Sequence, residues 1–186
     1  ARAPGTPVAP RLLGRCALAD SLEPTLGMPG RHGNYTAIPA MQKADLLIAL
    51  GARFDDRVTG KVDAFAPDAK IIHVDVDPAE LGKVRRPDVP IVGDCKNVIE
   101  RITVAVKADQ AKREWPDLSD WRATVQGWQV EHPLFYDQPA GGPLKPPFAI
   151  EKLRELAPDD TILPPCLAHA PTRAAPHRPL SHPPTG

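Results

Sequence analysis

Three short apolar runs, each closed by glycine or aspartate, constrain this chain more than any other feature. "ADLLIALG" (44–51) ends on Gly51 and predicts a strand buried on both faces. "KIIHVDVD" (70–77) is β-branched, alternates, and delivers Asp75 and Asp77, and "VPIVGD" (89–94) closes on Gly93 and Asp94. Helical patterns fall between and after them. "YTAIPAMQKA" (35–44) predicts a helix with Pro39 in its first turn, and "PAELGKV" (78–84) a short one capped by Asp77 with Pro78 first. A longer helix is expected over 95–113, with Val98, Ile102 and Val106 at four-residue spacing behind Asp94 as N-cap. Another over 117–131 carries Trp121, Val125 and Trp128 on one face, read as core, and a last one opens at "FAIEKLRELA" (148–157) after a "GGPLKPP" linker. Strands alternating with helices predict an α/β fold, a Rossmann-like parallel sheet flanked by helices.

The ends of the chain have a different character. Of 24 prolines, seven lie in the last 23 residues, a stretch with no acid and three of the six histidines. Too little apolar surface is available there to offset ordering entropy, so 164–186 is expected to be disordered, and 1–14 likewise. His169, His177 and His182 lack close ligand spacing, which argues against a metal-binding tail. "DDTIL" (159–163) starts like a strand, but the prolines that follow cannot continue one. Charge balances at 23 basic and 23 acidic residues. All the acids and only 18 of the bases lie within 16–163, so the middle carries −5, an ordinary soluble surface that gives no reason to expect nucleic acid. No apolar run approaches the roughly 20 residues that span a bilayer, and the N-terminus shows no signal pattern. Cys16, Cys95 and Cys166 are isolated and odd in number, which fits a reducing cytosol better than a disulfide framework, a zinc site or a nucleophile.

Chemistry gathers where the strands end. Gly51 and Arg53 follow the first, Asp75 lies at or near the end of the second, and Gly93 and Asp94 lead from the third into the long helix. Glycine admits close backbone approach, a strand-end carboxylate suits a ribose diol, and arginine offers a planar fork to phosphate oxygens. Upstream, "GMPGRHGNY" (27–35) is a glycine-rich loop with His32 between glycines, leading into a helix start. The stretch "GARFDDR" also reads as a charged surface turn held by Arg–Asp pairs, and Asp94 as a simple cap. Asp55 and Asp56 are poor candidates for a metal or acid/base pair, because adjacent side chains point apart and no third ligand is near. Together these elements point to a nucleotide or dinucleotide binder, without the GxGxxG that marks a conventional NAD site. A free-standing NAD- or CoA-binding domain is the rival reading.

In their order and spacing, "LGMPGRHGNY", "ADLLIALGARFDDRVTGKVDAFAP", "KIIHVDVDPAELGK" and "DVPIVGD" resemble the central domain of the acetohydroxyacid (acetolactate) synthase catalytic subunit. The likeness is close over about 26–110 and looser over 15–25 and 111–163. That family joins two pyruvates into 2-acetolactate with thiamine diphosphate, Mg²⁺ and FAD, and a cytoplasmic location is expected. The resemblance implies an FAD-binding central domain over 15–110 and a helical extension and linker over 111–163. By position, Gly51, Ala52, Arg53, Arg57 and Val58 would line the flavin nucleotide. Asp75 and Val76 would meet its ribose or adenine, Gly93, Asp94 and Cys95 would close the adenosine end, and Gly30, His32 and Gly33 would lie near the flavin ring. Arg31, Asp56 and Arg57 would face the substrate channel, where herbicides bind in the family.

Departures from the family pattern shape the expectation as much. Arg31 stands where methionine is usual, Cys16 replaces a glycine, and a Pro/His/Arg-rich tail replaces a valine-rich strand after "DDTIL". The glutamate that activates thiamine diphosphate and the GDG…N motif that holds metal and diphosphate belong to domains not seen here. The sequence therefore predicts a non-catalytic, truncated or frame-shifted piece with no catalytic or metal-binding residue. It would bind FAD, or serve as a structural fragment beside a full-length catalytic subunit or a regulatory small subunit.

Overall fold

The computed structural model describes residues 6–11, 14, 25–30, 33–133 and 136–156. They divide into two units, one around Ile38–Val125 and one formed by Pro7–Ala37 with the residues from Gln126 onward. The first holds a three-stranded parallel sheet of β1 (Leu46–Leu50), β2 (Lys70–Asp75) and β3 (Val89–Val92), in the order β1-β2-β3. Leu46 pairs with Lys70 and Leu50 with Val74, while Ile72 pairs with Val89 and Asp75 with Val92. The α/β expectation therefore holds, and all three strands form where the sequence placed them.

Side chains alternate across a strand, so Ile71, His73 and Asp75 share one face of β2 and Ile72 and Val74 the other. On the first face the crossover from β1 to β2 folds back as the core. Phe54, Phe65, Ala66 and Ala69 pack there with Ala49 and Ile71, flanked by Met41, Leu47 and Ala52. The crossover contains α2 (Asp56–Thr59) and a single 3-10 turn, Val62–Ala64. Helix α3 packs against β2, and Val74, on the other face, is fully buried. The expectation that β1 is buried on both faces is not met. Leu46, Ile48 and Leu50 are 46%, 45% and 41% exposed, because the described elements cover only the Ala49 side of that strand.

A polar clamp fixes the crossover. The Gln42 side chain donates from Nε2 to the carbonyl of Ala64 and accepts the N–H of Ala66 at 3.1 Å. Arg85 Nη2 donates to the Ala66 carbonyl at 3.2 Å. Ala66 is wholly buried at φ 41°, a left-handed conformation that a residue with a Cβ holds only under constraint. Replacing Gln42 with alanine strips the buried Ala66 N–H of its acceptor and is expected to cost about 1–3 kcal/mol in urea unfolding. An unchanged midpoint would show the clamp to be idle.

The helices follow the sequence with shifted ends. Helix α1 (Ala37–Gln42) carries Pro39 in its first turn, α3 is Cys95–Gln110, α4 Ser119–Glu131 and α5 Pro146–Leu156. Asp94 caps α3, its Oδ1 accepting from the Asn97 N–H at 3.1 Å. Before α4, Asp117 accepts from the amide and hydroxyl of Ser119, and these bonds hold its carboxyl below the usual carboxylate range. Val125 is buried in α4, with Trp121 and Trp128 half-buried beside it in the helical pattern. The helix expected at 78–84 is absent. Asp77 Oδ1 does accept the Ala79 N–H at 2.9 Å, but only turns follow, ending at Gly82 with φ 80°. One capped turn does not repay helix nucleation.

In the second unit, Val8 forms an isolated parallel bridge with Thr25, inside a stretch where the sequence predicts no order. Gln129 donates to the Thr25 carbonyl at 3.3 Å, and the Tyr35 and His132 rings meet at 3.9 Å between centroids, tilted by 48°. The expected strand at 159–163 and the tail 164–186 lie outside the described residues.

Candidate functional site

The parallel ladder runs on for one residue past each outer strand, and both extra residues are glycines. Gly51 donates its N–H to the Val74 carbonyl at 2.8 Å, and Gly93 donates to the Asp75 carbonyl at 2.9 Å. Asp75 thus ends β2 between two glycines. Gly51 sits at φ 60°, where a side chain is strained, and a Cβ there would lie 3.7 Å from Cys95 Sγ. The end of β1 and the start of α3 therefore meet across the end of β2.

Asp75 is 8% exposed, and its Oδ1 accepts the Asp77 N–H at 2.9 Å. That bond fixes the carboxylate and turns the chain, leaving Val76 73% exposed beyond it. Asp94 spends one oxygen on its cap, which leaves the positive end of a 16-residue helix facing the same edge. Burial and the charges of Asp94 and Asp75 push the Cys95 thiol above its ordinary range. The thiol is therefore less readily ionised than that of an ordinary cysteine. Alkylation mapped by mass spectrometry at neutral pH should label it more slowly in the folded than in the unfolded chain, the gap narrowing as pH rises. Equal rates would contradict this environment.

The segment after β1 holds the charges. Arg53, Asp56 and Arg57 are exposed, Ala52 and Val58 half-buried, and Phe54 buried. Among the described residues no ion pair involves Arg53 or Arg57, so a turn held by Arg–Asp pairs does not account for them. Thr59, buried, donates through Oγ1 to the Asp55 carbonyl at 3.2 Å and closes α2. Eleven of the expected residues, Gly51, Ala52, Arg53, Asp56, Arg57, Val58, Asp75, Val76, Gly93, Asp94 and Cys95, thus lie at or after strand ends within one unit.

Gly30 and Gly33 belong to the 27–34 loop of the other unit. Asn34 donates to the Met28 carbonyl at 2.8 Å and Gly33 to the Gly30 carbonyl at 2.9 Å. Arg31 and His32 lie outside the described residues. Sequence reasoning passed over Phe54 and His73. Each carried a signal: one aromatic among four charges, and one imidazole inside an apolar alternation.

The thiamine pyrophosphate enzyme central domain is the family whose model matches, over residues 1–102. The chain belongs to this family. As a central domain of that kind it is 50% identical over 158 residues to an acetolactate synthase of Mycobacterium avium, covering 85% of this chain and 25% of that protein. It is 49% identical to the acetolactate synthase large subunit of Corynebacterium glutamicum, over 83% of this chain and 25% of the relative. To the chloroplastic acetolactate synthase 1 of Nicotiana tabacum the identity is 40%, over 86% and 24%. The central domain spans about a quarter of the length of the curated relatives it matches. Among its described residues no helix is long and apolar enough to cross a membrane, and no group of three or more His, Cys, Asp or Glu is placed to hold a metal ion.

Proposed function

We propose that this central domain binds the nucleotide part of FAD at its strand ends and lacks a catalytic centre of its own. The supporting observation is the convergence of Gly51, Asp75 and Cys95, beside the N-terminus of α3. That edge offers what a dinucleotide needs: a backbone without a Cβ for close approach, a fixed carboxylate for a ribose hydroxyl, and a helix end for phosphate. Arg53 and Arg57, exposed and outside every ion pair of the described residues, have forks available for pyrophosphate or flavin. Gly30, His32 and Gly33 would serve the flavin ring, and Arg31, Asp56 and Arg57 a substrate channel.

In the whole enzyme the reaction would be acetolactate formation from pyruvate with thiamine diphosphate and Mg²⁺, in the cytoplasm, and this chain's part would be to hold the flavin. The test is equilibrium titration with FAD, followed by flavin fluorescence, beside NAD⁺ and coenzyme A. Preferential binding of FAD supports the reading, a preference for NAD⁺ or coenzyme A replaces it with the rival domain, and binding of none of the three overturns it. The exposed Leu46, Ile48 and Leu50 favour a second role, as a structural piece docked on a full-length catalytic subunit or its small subunit. Co-elution on size exclusion with such a subunit, without added FAD, would support that role.

A further inference from the structure

His73 is 1% exposed, and among the described residues neither ring nitrogen has a hydrogen-bond partner. A buried imidazole without partners is costly and calls for a reason. Its neighbours in register are Ala49 on β1 and Pro90 on β3, neither of which has a side chain able to hydrogen-bond. Above it lies Phe54, edge to face, with ring centroids 5.1 Å apart at 84°. Phe54 is itself held at φ 52°, left-handed for a bulky residue, and is 7% exposed. Its segment runs between two glycines of positive φ, Gly51 at 60° and Gly60 at 58°, and a Cβ at Gly60 would meet nothing within 4 Å among the described residues. The covered arrangement thus strains Phe54 within the segment and leaves His73 beneath it without partners, and the segment has a glycine of positive φ at each end.

We propose that residues 51–60 form a two-position strap that turns on Gly51 and Gly60, and that His73 is the polar group it covers. In the second position Phe54 relaxes to an ordinary backbone conformation, and the imidazole gains hydrogen bonds. The ring shares its face of β2 with Asp75, so the group it would meet there is a phosphate or ribose oxygen of the bound nucleotide. This second half rests on the nucleotide reading, whereas the strap itself does not.

The experiment compares the full chain with its His73→Phe and His73→Leu variants by hydrogen–deuterium exchange and by titration with ADP. Removing the unpartnered polar atoms favours the covered position. Exchange in peptides from 51–60 should slow about tenfold in the variants, while peptides from β2 and α3 stay unchanged. Two variants are used because the larger phenylalanine ring can fail to fit, whereas leucine keeps the apolar filling. Unchanged or faster exchange of 51–60 in whichever variants fold overturns the strap. ADP should bind the variants about tenfold more weakly than the parent chain, since the competent position is rarer. Equal ADP affinity with slowed exchange removes His73 from the ligand site and leaves the strap standing. No ADP binding by the parent chain overturns the nucleotide reading and the second half with it, and exchange alone then judges the strap.

Discussion

Gly33→Ala is expected to destabilise the second unit by about 3 kcal/mol or more, among the largest effects of any single methyl group in this chain. An added Cβ would lie 2.1 Å from the Met28 carbonyl oxygen and 2.8 Å from the Pro29 carbonyl carbon, and both are backbone atoms that no rotamer change can move. The loop cannot yield locally. The Gly33–Gly30 and Asn34–Met28 bonds that draw its ends together would have to break. Gly27→Ala offers a graded comparison. Its Cβ would lie 2.4 Å from the Asn34 side chain, at φ 75°, and a side chain can swing aside where a carbonyl cannot. Urea unfolding should rank Gly33→Ala well below Gly27→Ala in stability. The reverse order would mean that the loop is looser than its hydrogen bonds require.

Asp75→Ala is expected to lower FAD affinity by about ten- to a hundredfold, the worth of a charge-assisted hydrogen bond to a ribose hydroxyl. The alanine variant also frees the Asp77 N–H, so part of its effect is a loosened turn after β2. Asp75→Asn separates the two. Its side-chain oxygen still accepts from Asp77, so thermal stability should stay near that of the parent chain while binding weakens through the lost charge. Titration calorimetry beside thermal melting reads both quantities. Wild-type affinity in both variants would remove Asp75 from the site.

Much of this strand-end arrangement could be read from the sequence because a parallel sheet brings loops together at one edge wherever its strands end. Once Gly51, Asp75 and Gly93 were read as strand ends, their convergence needed only parallel pairing, and the register supplies it. Asp94 as a cap was equally accessible, since an N-cap bond is local and the spacing to Asn97 states it. What stayed hidden depends on contacts between distant residues. Nothing near Gln42 in the chain foretells that it will clamp Ala64 and Ala66, some two dozen positions on. The left-handed turn at Phe54 was hidden for the same reason, since the rings that Phe54 meets, Phe65 and His73, lie further along the chain. The missing helix at 78–84 is the opposite case, a local signal that was present but too short to propagate.

The one-sided burial of β1 has a consequence for handling the protein. Leu46–Leu50 reads LLIAL, five apolar residues without a charge or proline, at the end of the strand order and bare on one face. An edge of that composition is a template onto which a second chain can add a strand, the geometry from which ordered aggregates grow. Turbidity of the isolated chain should therefore rise with concentration and time. A lysine at the most central of the three exposed positions, Ile48→Lys, should suppress it while leaving the Ala49 face of the sheet intact.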